Sequence, residues 1–503
     1  MKILIELRPA LEGHSGIPQE ARLLFRGLAL LKGAKVAGLL QSSSRLVGKG
    51  LPASEVISDR WSEDKRINRL SRVVVSLQPS KGKGVAVRLA EYLQLGIACA
   101  VMVLRRIMGQ RESLTRFSPF SFSDFVWRAL FAKTLPPQDR EAMTSAEYRI
   151  ARVPWSAAHA VGVLTRRFGS AVYPRFDTRD FDLMIAETPY PGRVSNPTRL
   201  IVRYHDAFPL LMPHTITDRA RHQASHYQAL RRNVRDGAWF ACVSDATRAD
   251  LLSVFPEVAE RAVTIPNMVS HRYFLEDSSP RMIPQVLRTR ANRKVANIVK
   301  RRGFFERGAG GANDDEAPEF LLMVSTLEPR KNHLGLLAAW EQLRASGHSN
   351  LQLVLVGMLG WDHKAILNRL LPWVGRGLVH LLDDVPAAEL RALYRHARAT
   401  VCPSFGEGFG FSGIEAMCCG GVVAASGLPV HREIYGDAAV YFDPYSTGSM
   451  ADSIELLIGA DDQAEKRRET LKMAAAEVSS RYGQEQILPR WREFLESVAR
   501  LPA

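Results

Sequence analysis

Short apolar runs that alternate with helix-length stretches shape the second half of the chain. They lie at 320–325, 351–357, 378–382, 399–404, 421–426 and 439–442. A continuous apolar run of about four to eight residues is typical of a strand buried on both faces, and strands that alternate with helices form parallel sheets. The pattern therefore predicts a doubly wound parallel sheet covered by helices over residues 319–480.

The first half of the chain repeats this rhythm around a long irregular stretch. An apolar run at 3–7 leads through the glycine turn 13–16 into a stretch with helical periodicity. Similar runs return at 181–187, 199–205 and 239–244. With 503 residues, the chain exceeds what a single core usually supports. We therefore predict the fold class α/β, with two Rossmann-like doubly wound domains that face a crevice.

The domain bounds follow from composition. We predict an N-terminal Rossmann-like domain over 1–270, which carries a basic insertion over about 41–180. Residues 271–318 are rich in Arg, Asn, Gly and Asp and are predicted to be a linker. At the end of the chain, residues 481–503 contain one helical apolar stripe, and we expect that helix to pack back on the N-terminal domain.

Positive charge is concentrated in part of the insertion. Between Lys65 and Arg116, eleven lysines and arginines accompany two acids, so this segment carries about +9 of the net charge of +15. An apolar run at 95–104 lies inside it and ends at two arginines, so it is shorter than the roughly 18 residues that span a bilayer. The segment is either a solvated insertion or a surface that attaches to an anionic membrane.

Two loops follow predicted strands of the second domain. In open parallel sheets, ligands bind beyond the carboxyl ends of the strands. Arg330 and Lys331 follow the run 320–325, and the sequence FGEGFGFSGIE follows the run 399–404. We expect both loops to face the same crevice.

The chemistry of these loops suits a nucleotide sugar. Gly408 and Gly410 permit close approach of the backbone, and a helix that starts near residue 411 directs its free N–H groups at a phosphate. The two cations of the neighbouring loop add to that preference. Glu407 and Glu415 would repel a phosphate but can accept hydrogen bonds from the hydroxyls on either side of it.

At this point the sequence resembles a known family. Glu407 and Glu415 form the E-x7-E pattern of the family 4 glycosyltransferases, which are retaining enzymes of the GT-B fold and include mannosyltransferases. Further matching motifs occur in the family's order: GHSGIPQE (13–20), RYHDAFPL (203–210), VSDATRADL (243–251), TIPN (264–267), TLEPRKN (326–332), GEGFG (406–410) and GDAA (436–439). Only residues 41–180 lack a counterpart.

The resemblance implies a role for each matched position. It implies that Glu407, His205 and Asp206 are the catalytic residues near the donor sugar. The donor-binding residues that it implies are Arg330 and Lys331 at the diphosphate, Glu415 at the ribose, Gly408, Phe409 and Gly410 through their amides, and Gly16. The chain departs from the family at Ser325, where many members carry an arginine, so more of the phosphate charge would rest on Arg330 and Lys331.

The function that follows is a retaining glycosyltransfer in cell-surface polysaccharide synthesis. We expect a nucleotide-sugar donor, by resemblance mannose from GDP-mannose, and a glycan or lipid-linked glycan acceptor. Neither a metal nor a further cofactor is expected, and Asp180 and Asp182 are interpreted as a strand start. Five scattered cysteines and a first apolar run too short for a signal peptide predict a cytoplasmic protein, at the membrane face if the basic segment binds lipid.

Two other classes of protein fit parts of the sequence. A nucleotide-dependent oxidoreductase would need a GxGxxG motif after the first strand, and the turn 13–20 lacks its third glycine. A nucleic-acid-binding protein would exploit the positive charge, but the basic runs fall in the predicted insertion and linker without an aromatic-rich recognition motif. We therefore expect no nucleic-acid partner.

Overall fold

The computed structural model describes residues 1–13, 16–54, 57, 60–78, 85–168, 170–302 and 317–501. Residues 14–15 of the glycine turn and 303–316 of the predicted linker lie outside these ranges. Within them, the strands in chain order are β1 (Lys2–Glu6), β2 (Lys35–Leu40), β3 (Glu112–Ser113), β4 (Thr115–Phe117), β5 (Glu147–Ile150), β6 (Phe176–Asp177), β7 (Leu183–Ala186), β8 (Arg199–Tyr204), β9 (Trp239–Cys242), β10 (Ala262–Thr264), β11 (Phe320–Val324), β12 (Gln352–Val356), β13 (Val379–Leu382), β14 (Ala399–Cys402), β15 (Val423–Ser426) and β16 (Ala439–Phe442).

The first lobe is built on an eight-stranded sheet in the order β10-β9-β8-β7-β1-β2-β5-β4. All neighbours pair in parallel except β4 and β5. Both faces of β1 are buried, since Ile3 and Ile5 belong to the core on one face of the sheet and Leu4 belongs to the core on the other. This two-sided burial explains why the first strand appears as a continuous apolar run.

Part of the stretch 41–180 belongs to this sheet. Strand β5 continues the sheet beyond β2, and β4 pairs antiparallel with β5 as the edge strand. Tyr148 and Ile150 on β5 are fully buried in the same core as β1. The stretch that composition predicts to be an insertion thus extends the sheet by two strands, because its apolar residues join the existing core.

Helices cover both faces of the first sheet, as a doubly wound fold requires. The α-helices of this lobe are Arg8–Leu11, Ile17–Ala29, Glu63–Leu77, Val85–Ile107, Ser123–Val126, Arg140–Ser145, Trp155–Thr165, Phe208–Leu211, Arg219–Arg235 and Asp245–Val254. Shorter 3-10 turns and one π-turn lie between them, at Phe120–Phe122, Trp127–Phe131, Pro137–Asp139, Arg166–Phe168, Pro213–Thr215 and Pro256–Arg261.

The second lobe has a six-stranded parallel sheet in the order β13-β12-β11-β14-β15-β16. Each of its strands coincides with one of the six predicted apolar runs. The sheet separates two cores, with Leu322 on one side and Leu321 and Met323 on the other. The α/β fold class with two parallel sheets, predicted from the alternating runs, is confirmed.

The helices of the second lobe alternate with its strands. They are Ile283–Thr289, Arg293–Arg302, His333–Ala345, His363–Gly375, Ala387–His396, Phe411–Cys418, Pro429–Tyr435, Thr447–Ile458 and Asp462–Ser480, with 3-10 turns at Pro280–Met282, Pro329–Lys331 and Gly436–Ala438. The first two of these helices come from the stretch 271–318. Ile283 and Val295 are buried against the second sheet, so this stretch contributes to the core of the second lobe where the structure describes it.

The last helix, Gln484–Arg500, crosses back to the first lobe. Trp491, Leu495 and Val498 are fully buried in the core that contains β1. The Trp491 ring lies 5.2 Å from the guanidinium carbon of Arg203 on β8. One apolar stripe of a terminal helix therefore joins the two ends of the chain.

Across the described ranges, no helix is both long and apolar enough to cross a bilayer.

Candidate functional site

A crevice of about 1230 Å³ lies between the two lobes, at the carboxyl ends of both sheets. Its wall contains every site residue that the sequence predicts: Gly16, His205, Asp206, Arg330, Lys331, Glu407, Gly408, Phe409, Gly410 and Glu415. Lys331 and Glu415 thus face one space, although 84 positions separate them in the chain. The topology explains this, because parallel strands deliver their following loops to one edge of a sheet.

The glycine loop 406–410 begins the helix Phe411–Cys418 at the crevice. Gly410 occupies the N-cap with a φ of +87°, a conformation that side chains with a Cβ rarely adopt. The Tyr435 hydroxyl donates a 2.6 Å hydrogen bond to the Gly410 carbonyl and fixes this turn. The first N–H groups of the helix carry no side-chain cap, so they are available to an anionic ligand.

Gly408 brings this loop against the first lobe. A Cβ at this position would overlap the carbonyl oxygen of His205 and lie 3.0 Å from its carbon. The Gly408 carbonyl accepts hydrogen bonds from Ser244 Oγ at 2.9 Å and Thr247 Oγ1 at 3.3 Å. The absence of a side chain therefore lets backbone of the two lobes meet directly.

Glu407 lies among cations. Its Oε1 accepts from Lys331 Nζ at 2.5 Å and from Ser404 Oγ at 2.6 Å, and its Oε2 lies 3.4 Å from Arg330 Nη1. Burial alone would raise the pKa of Glu407, but the charges of Lys331 and Arg330 hold that pKa well below its ordinary value. Glu407 is therefore ionised, and it orders the two cations before any ligand is present.

Arg330 is held by several partners at once. Its Nη2 donates to Glu328 Oε1 at 3.0 Å, its Nη1 donates to the Gly406 carbonyl at 2.5 Å, and its guanidinium lies 4.6 Å from the centre of the Phe208 ring. Phe208 belongs to the first lobe, so this cation also contacts both sides of the crevice. A cation so restrained loses little side-chain entropy when it binds a phosphate.

Glu415 is buried one turn into the helix, with both carboxylate oxygens engaged. Oε1 accepts from Gln19 Nε2 at 2.9 Å, and Oε2 accepts from the Tyr394 hydroxyl at 3.0 Å. Burial raises the pKa of Glu415 to about 7. Gln19 is a site residue that the sequence reasoning missed, although it lies within the quoted motif GHSGIPQE. The only signal was its position one helical turn after Gly16.

His205 and Asp206 follow strand β8. His205 Nε2 lies 3.4 Å from Glu187 Oε2, and burial lowers the pKa of His205 to about 4, so the imidazole is neutral at pH 7. Burial raises the pKa of Asp206, whose Oδ1 accepts from the Phe208 amide at 3.2 Å. Both residues line the crevice opposite the glycine loop.

Three possible metal ligands, one of which is His205, lie close together. The ligand atoms of Glu20, Glu187 and His205 are within 4.8 Å of one another. Arg203 Nε already donates to Glu20 at 2.9 Å, and burial raises the pKa of Glu187 well above its ordinary value. A metal ion there would have to compete with Arg203 for the carboxylate of Glu20. We interpret Glu20, Glu187 and Arg203 as a buried polar network that positions His205.

Gly16 begins the helix Ile17–Ala29 at the floor of the crevice with a φ of +69°. An added Cβ would meet nothing within 4 Å, so the conformation rather than the space favours glycine there. The crevice is also lined by Arg128 and Lys133, two cations from the stretch 41–180 that the sequence reasoning did not single out. The segment that contains Lys133 lies beside the glycine turn, because Arg22 donates both to the Gly13 carbonyl and to Thr134 Oγ1.

Comparison with known proteins finds a family match within the second lobe. Residues 309–477 match the family described as "Glycosyl transferases group 1". That range contains both predicted carboxylates and both predicted cations of the second lobe. The match favours the glycosyltransferase interpretation over the oxidoreductase and nucleic-acid-binding alternatives that the sequence left open.

Curated relatives extend the likeness over parts of the chain. The chain is 28% identical over 247 residues to the O-antigen chain mannosyltransferase B of Escherichia coli, an alignment that covers 49% of this chain and 58% of the relative. It is 36% identical over 148 residues to the serotype-specific mannosyltransferase WbdA of Escherichia coli, over 28% of this chain and 17% of that protein. The chain spans about half the length, or less, of these relatives.

Solved structures match over almost the whole chain. The sucrose-phosphate synthase of Thermosynechococcus elongatus superposes with a TM-score of 0.55 at 13% identity, over 99% of this chain and 98% of that one. The Anabaena protein HepE, solved with UDP-glucose, superposes with a TM-score of 0.53 at 15% identity, over 99% and 100%. At this identity the likeness concerns the fold alone, and it confirms the predicted GT-B architecture.

Proposed function

Because residues 309–477 match the family of group 1 glycosyl transferases, we propose that this chain transfers a sugar from a nucleotide-sugar donor to a glycan or lipid-linked glycan acceptor. The observation that carries the proposal is the convergence of all ten predicted site residues on one interlobe crevice. A crevice of this kind offers cations for a diphosphate, carboxylates for hydroxyls and a helix N-terminus for phosphate oxygens.

The donor diphosphate would bind between Lys331, Arg330 and the start of the helix Phe411–Cys418. Glu407 neutralises these cations at hydrogen-bonding distance. A diphosphate that approaches from the crevice would share them with Glu407, so the site needs little reorganisation when negative charge develops on the leaving group. Glu407 would then hold the cations in place and turn its free lone pairs to the donor sugar.

The ribose would bind at Glu415. An ionised carboxylate can accept two hydrogen bonds from vicinal hydroxyls, but here Gln19 and Tyr394 already donate to its two oxygens. Each carboxylate oxygen has a second lone pair, and Gln19 lies in the other lobe. We infer that the hydrogen bond from Gln19 to Oε1 either persists beside the one from the ribose or breaks when the donor binds.

The transfer itself would proceed with retention and without a metal. The acceptor hydroxyl would attack from the face on which the diphosphate leaves, and a phosphate oxygen of the donor would take the acceptor's proton. His205 is neutral and buried beside the crevice, so it can donate a hydrogen bond to the sugar without adding charge. The fixed cations would stabilise the diphosphate that departs.

We further propose that the donor is GDP-mannose and that the product is a cell-surface polysaccharide. The support is that both curated relatives described above bear the name mannosyltransferase, and that the first is named for the O-antigen chain. Thermal unfolding with GDP, UDP and other nucleoside diphosphates tests the base, because a ligand that binds the folded state raises the midpoint. A shift by UDP and none by GDP would refute the choice of donor.

The decisive test of the activity is turnover by the Arg330→Ala variant. We expect sugar transfer from GDP-mannose to fall about 100- to 1000-fold, as for the loss of one donor that stabilises transition-state charge. The matched control is Arg344→Ala, which removes a guanidinium from a helix outside the crevice. Near-normal turnover by Arg330→Ala would contradict the assignment of the site.

We also propose that the helix Val85–Ile107 attaches the chain to an anionic bilayer. Its inner face, with Met102, packs on the helix Trp155–Thr165, yet its outer face is also apolar. The exposed positions from 93 onward are Leu93, Gln94, Gly96, Ile97, Ala100, Val101, Leu104, Ile107 and Met108, and Ile97 is 64% exposed. The surrounding segment carries about +9, which complements anionic headgroups.

Vesicle sedimentation tests this surface. The chain should sediment with phosphatidylglycerol vesicles at low salt and not with phosphatidylcholine vesicles, and Ile97→Glu with Leu104→Glu should abolish the binding. The control pair, Leu456→Glu with Met473→Glu, alters exposed apolar residues of the second lobe and should bind normally. Equal sedimentation of both variants would rule out the helix as the attachment surface.

A further inference from the structure

A second cavity, of about 280 Å³, lies on the first lobe and shares no described residue with the crevice. Four arginines line it, together with one buried glutamine and two small residues: Arg166, Arg231, Arg232, Arg235, Gln228, Ser170 and Ala171. We call it the arginine pocket. By the volume of liquid water it would hold roughly nine molecules, enough for a phosphate or diphosphate group.

One helix supplies most of this pocket. Gln228, Arg231, Arg232 and Arg235 follow the spacing i, i+3, i+4, i+7 on the helix Arg219–Arg235, so they share a single face. Arg166 joins them from the turn that ends the helix Trp155–Thr165, which packs against Arg219–Arg235. His222 of the same helix lines the crevice, so the pocket begins, at Gln228, roughly 9 Å further along the helix axis.

The positive charge of the pocket is poorly compensated. Asp236, which follows the helix directly, binds Arg232 at 2.9 Å and Arg193 at 2.6 Å. Within the part of the chain that the structure describes, Arg166, Arg231 and Arg235 form no ion pair. Like charges that converge on a concave site repel one another unless an anion joins them.

Gln228 points to a ligand independently of charge. Its side chain is only 7% exposed, it lines the pocket, and it forms no hydrogen bond with any residue of the described ranges. Gln228 is not among the described residues whose side-chain polar atoms are both fully buried and unpaired, so its amide is open to the pocket and free to bond to a ligand. A phosphate oxygen in the pocket would accept from the Gln228 amide and from the guanidiniums around it.

We propose that the arginine pocket is a phosphate-binding site, separate from the donor crevice, which takes the phosphate or diphosphate group of an anionic compound. The helix Trp155–Thr165 that positions Arg166 also packs on Val85–Ile107. The phosphate can therefore come from a lipid headgroup at a bilayer or from a free phosphorylated compound, and the experiment below separates these sources.

Calorimetric titration of the full chain with inorganic pyrophosphate at low ionic strength tests the site. All proteins carry Lys331→Ala, which weakens binding in the crevice. We expect one binding event. Its affinity for pyrophosphate should fall at least tenfold in the double variant Arg231→Gln, Arg235→Gln. The affinity should be unchanged in the control double variant Arg467→Gln, Arg492→Gln. Gln228→Leu should also weaken it several-fold at constant net charge, whereas Gln223→Leu on the same helix should not.

Vesicles identify the source of the phosphate. If sedimentation with phosphatidylglycerol vesicles falls in the Arg231→Gln, Arg235→Gln variant and not in its control, the natural ligand is a lipid headgroup. If pyrophosphate binding alone falls, the ligand is a free phosphorylated compound. The proposal is overturned if pyrophosphate fails to bind, or binds the pocket variants and their controls equally.

Discussion

Gly408→Ala is expected to hold the two lobes apart. The added methyl group would overlap the carbonyl oxygen of His205, which belongs to the backbone and cannot rotate away. The glycine loop must therefore shift, and the Gly408 carbonyl would lose its hydrogen bonds from Ser244 and Thr247. Two net hydrogen bonds are worth about 1 to 3 kcal/mol together.

This loss should appear in catalysis rather than in folding. If sugar transfer requires the contact between the Gly408 loop and the first lobe, kcat/KM should fall roughly 5- to 150-fold in this variant. Each lobe should stay folded, because the added methyl group would lie between the lobes, against the backbone of His205, and not inside the core of either sheet. Small-angle scattering should report a larger radius of gyration.

The matched control is Gly448→Ala, where an added Cβ meets nothing within 4 Å. Initial rates over a range of donor concentrations, with the melting midpoint as a check on folding, provide the comparison. A kcat/KM for Gly408→Ala within twofold of the unchanged chain would refute the reasoning, because it would mean that direct backbone contact between the lobes is not needed for transfer.

Three further predictions concern charge, pH and packing. Lys331→Ala should lower kcat/KM about 100- to 1000-fold, since it removes a cation from the leaving group, whereas normal turnover would disprove that role. The pKa of Glu415 is about 7 when folded against an ordinary value of 4.5, so the folded chain binds more protons, and its unfolding free energy should fall as pH rises from 4.5 to 7. In denaturant titrations from pH 4 to 8, the unfolding free energy of Glu415→Gln should fall less with rising pH than that of the unchanged chain, by up to about 3 kcal/mol. The same pH profile in both proteins would contradict this prediction. Trp491→Ala should destabilise the chain by about 3 to 5 kcal/mol in the same denaturant assay, because a fully buried side chain leaves a cavity in the first lobe, and a loss below about 1 kcal/mol would show that the last helix is not part of that core.

The charged residues of the crevice hold one another in fixed positions. Glu328 and Glu407 balance Arg330 and Lys331, so the group carries little net charge before a donor arrives. The carboxylate in the glycine loop is therefore more than a sugar ligand. It fixes two long cationic side chains that would otherwise sample many rotamers, and this lowers the entropy lost when the donor binds.

The sequence by itself determined the six strands of the second sheet, four of the eight strands of the first and ten of the residues that line the crevice. Strands buried on two faces must be continuous apolar runs, so the six strands of the second lobe could be located directly. The parallel topology then places the loops after 320–325 and 399–404 at one edge. For these features, a local pattern carries the information.

Only the tertiary structure decided what each side chain contacts. Gln19 reaches Glu415 from the other lobe, 396 positions away, and no local pattern encodes that bond. Strand β5 joins the first sheet although its surroundings look irregular, because its partner lies far away in the chain. The arginine pocket likewise needs Arg166 beside a helix that begins more than fifty positions later. Pairings of this kind depend on how the elements pack in space, and packing is a property of the whole chain.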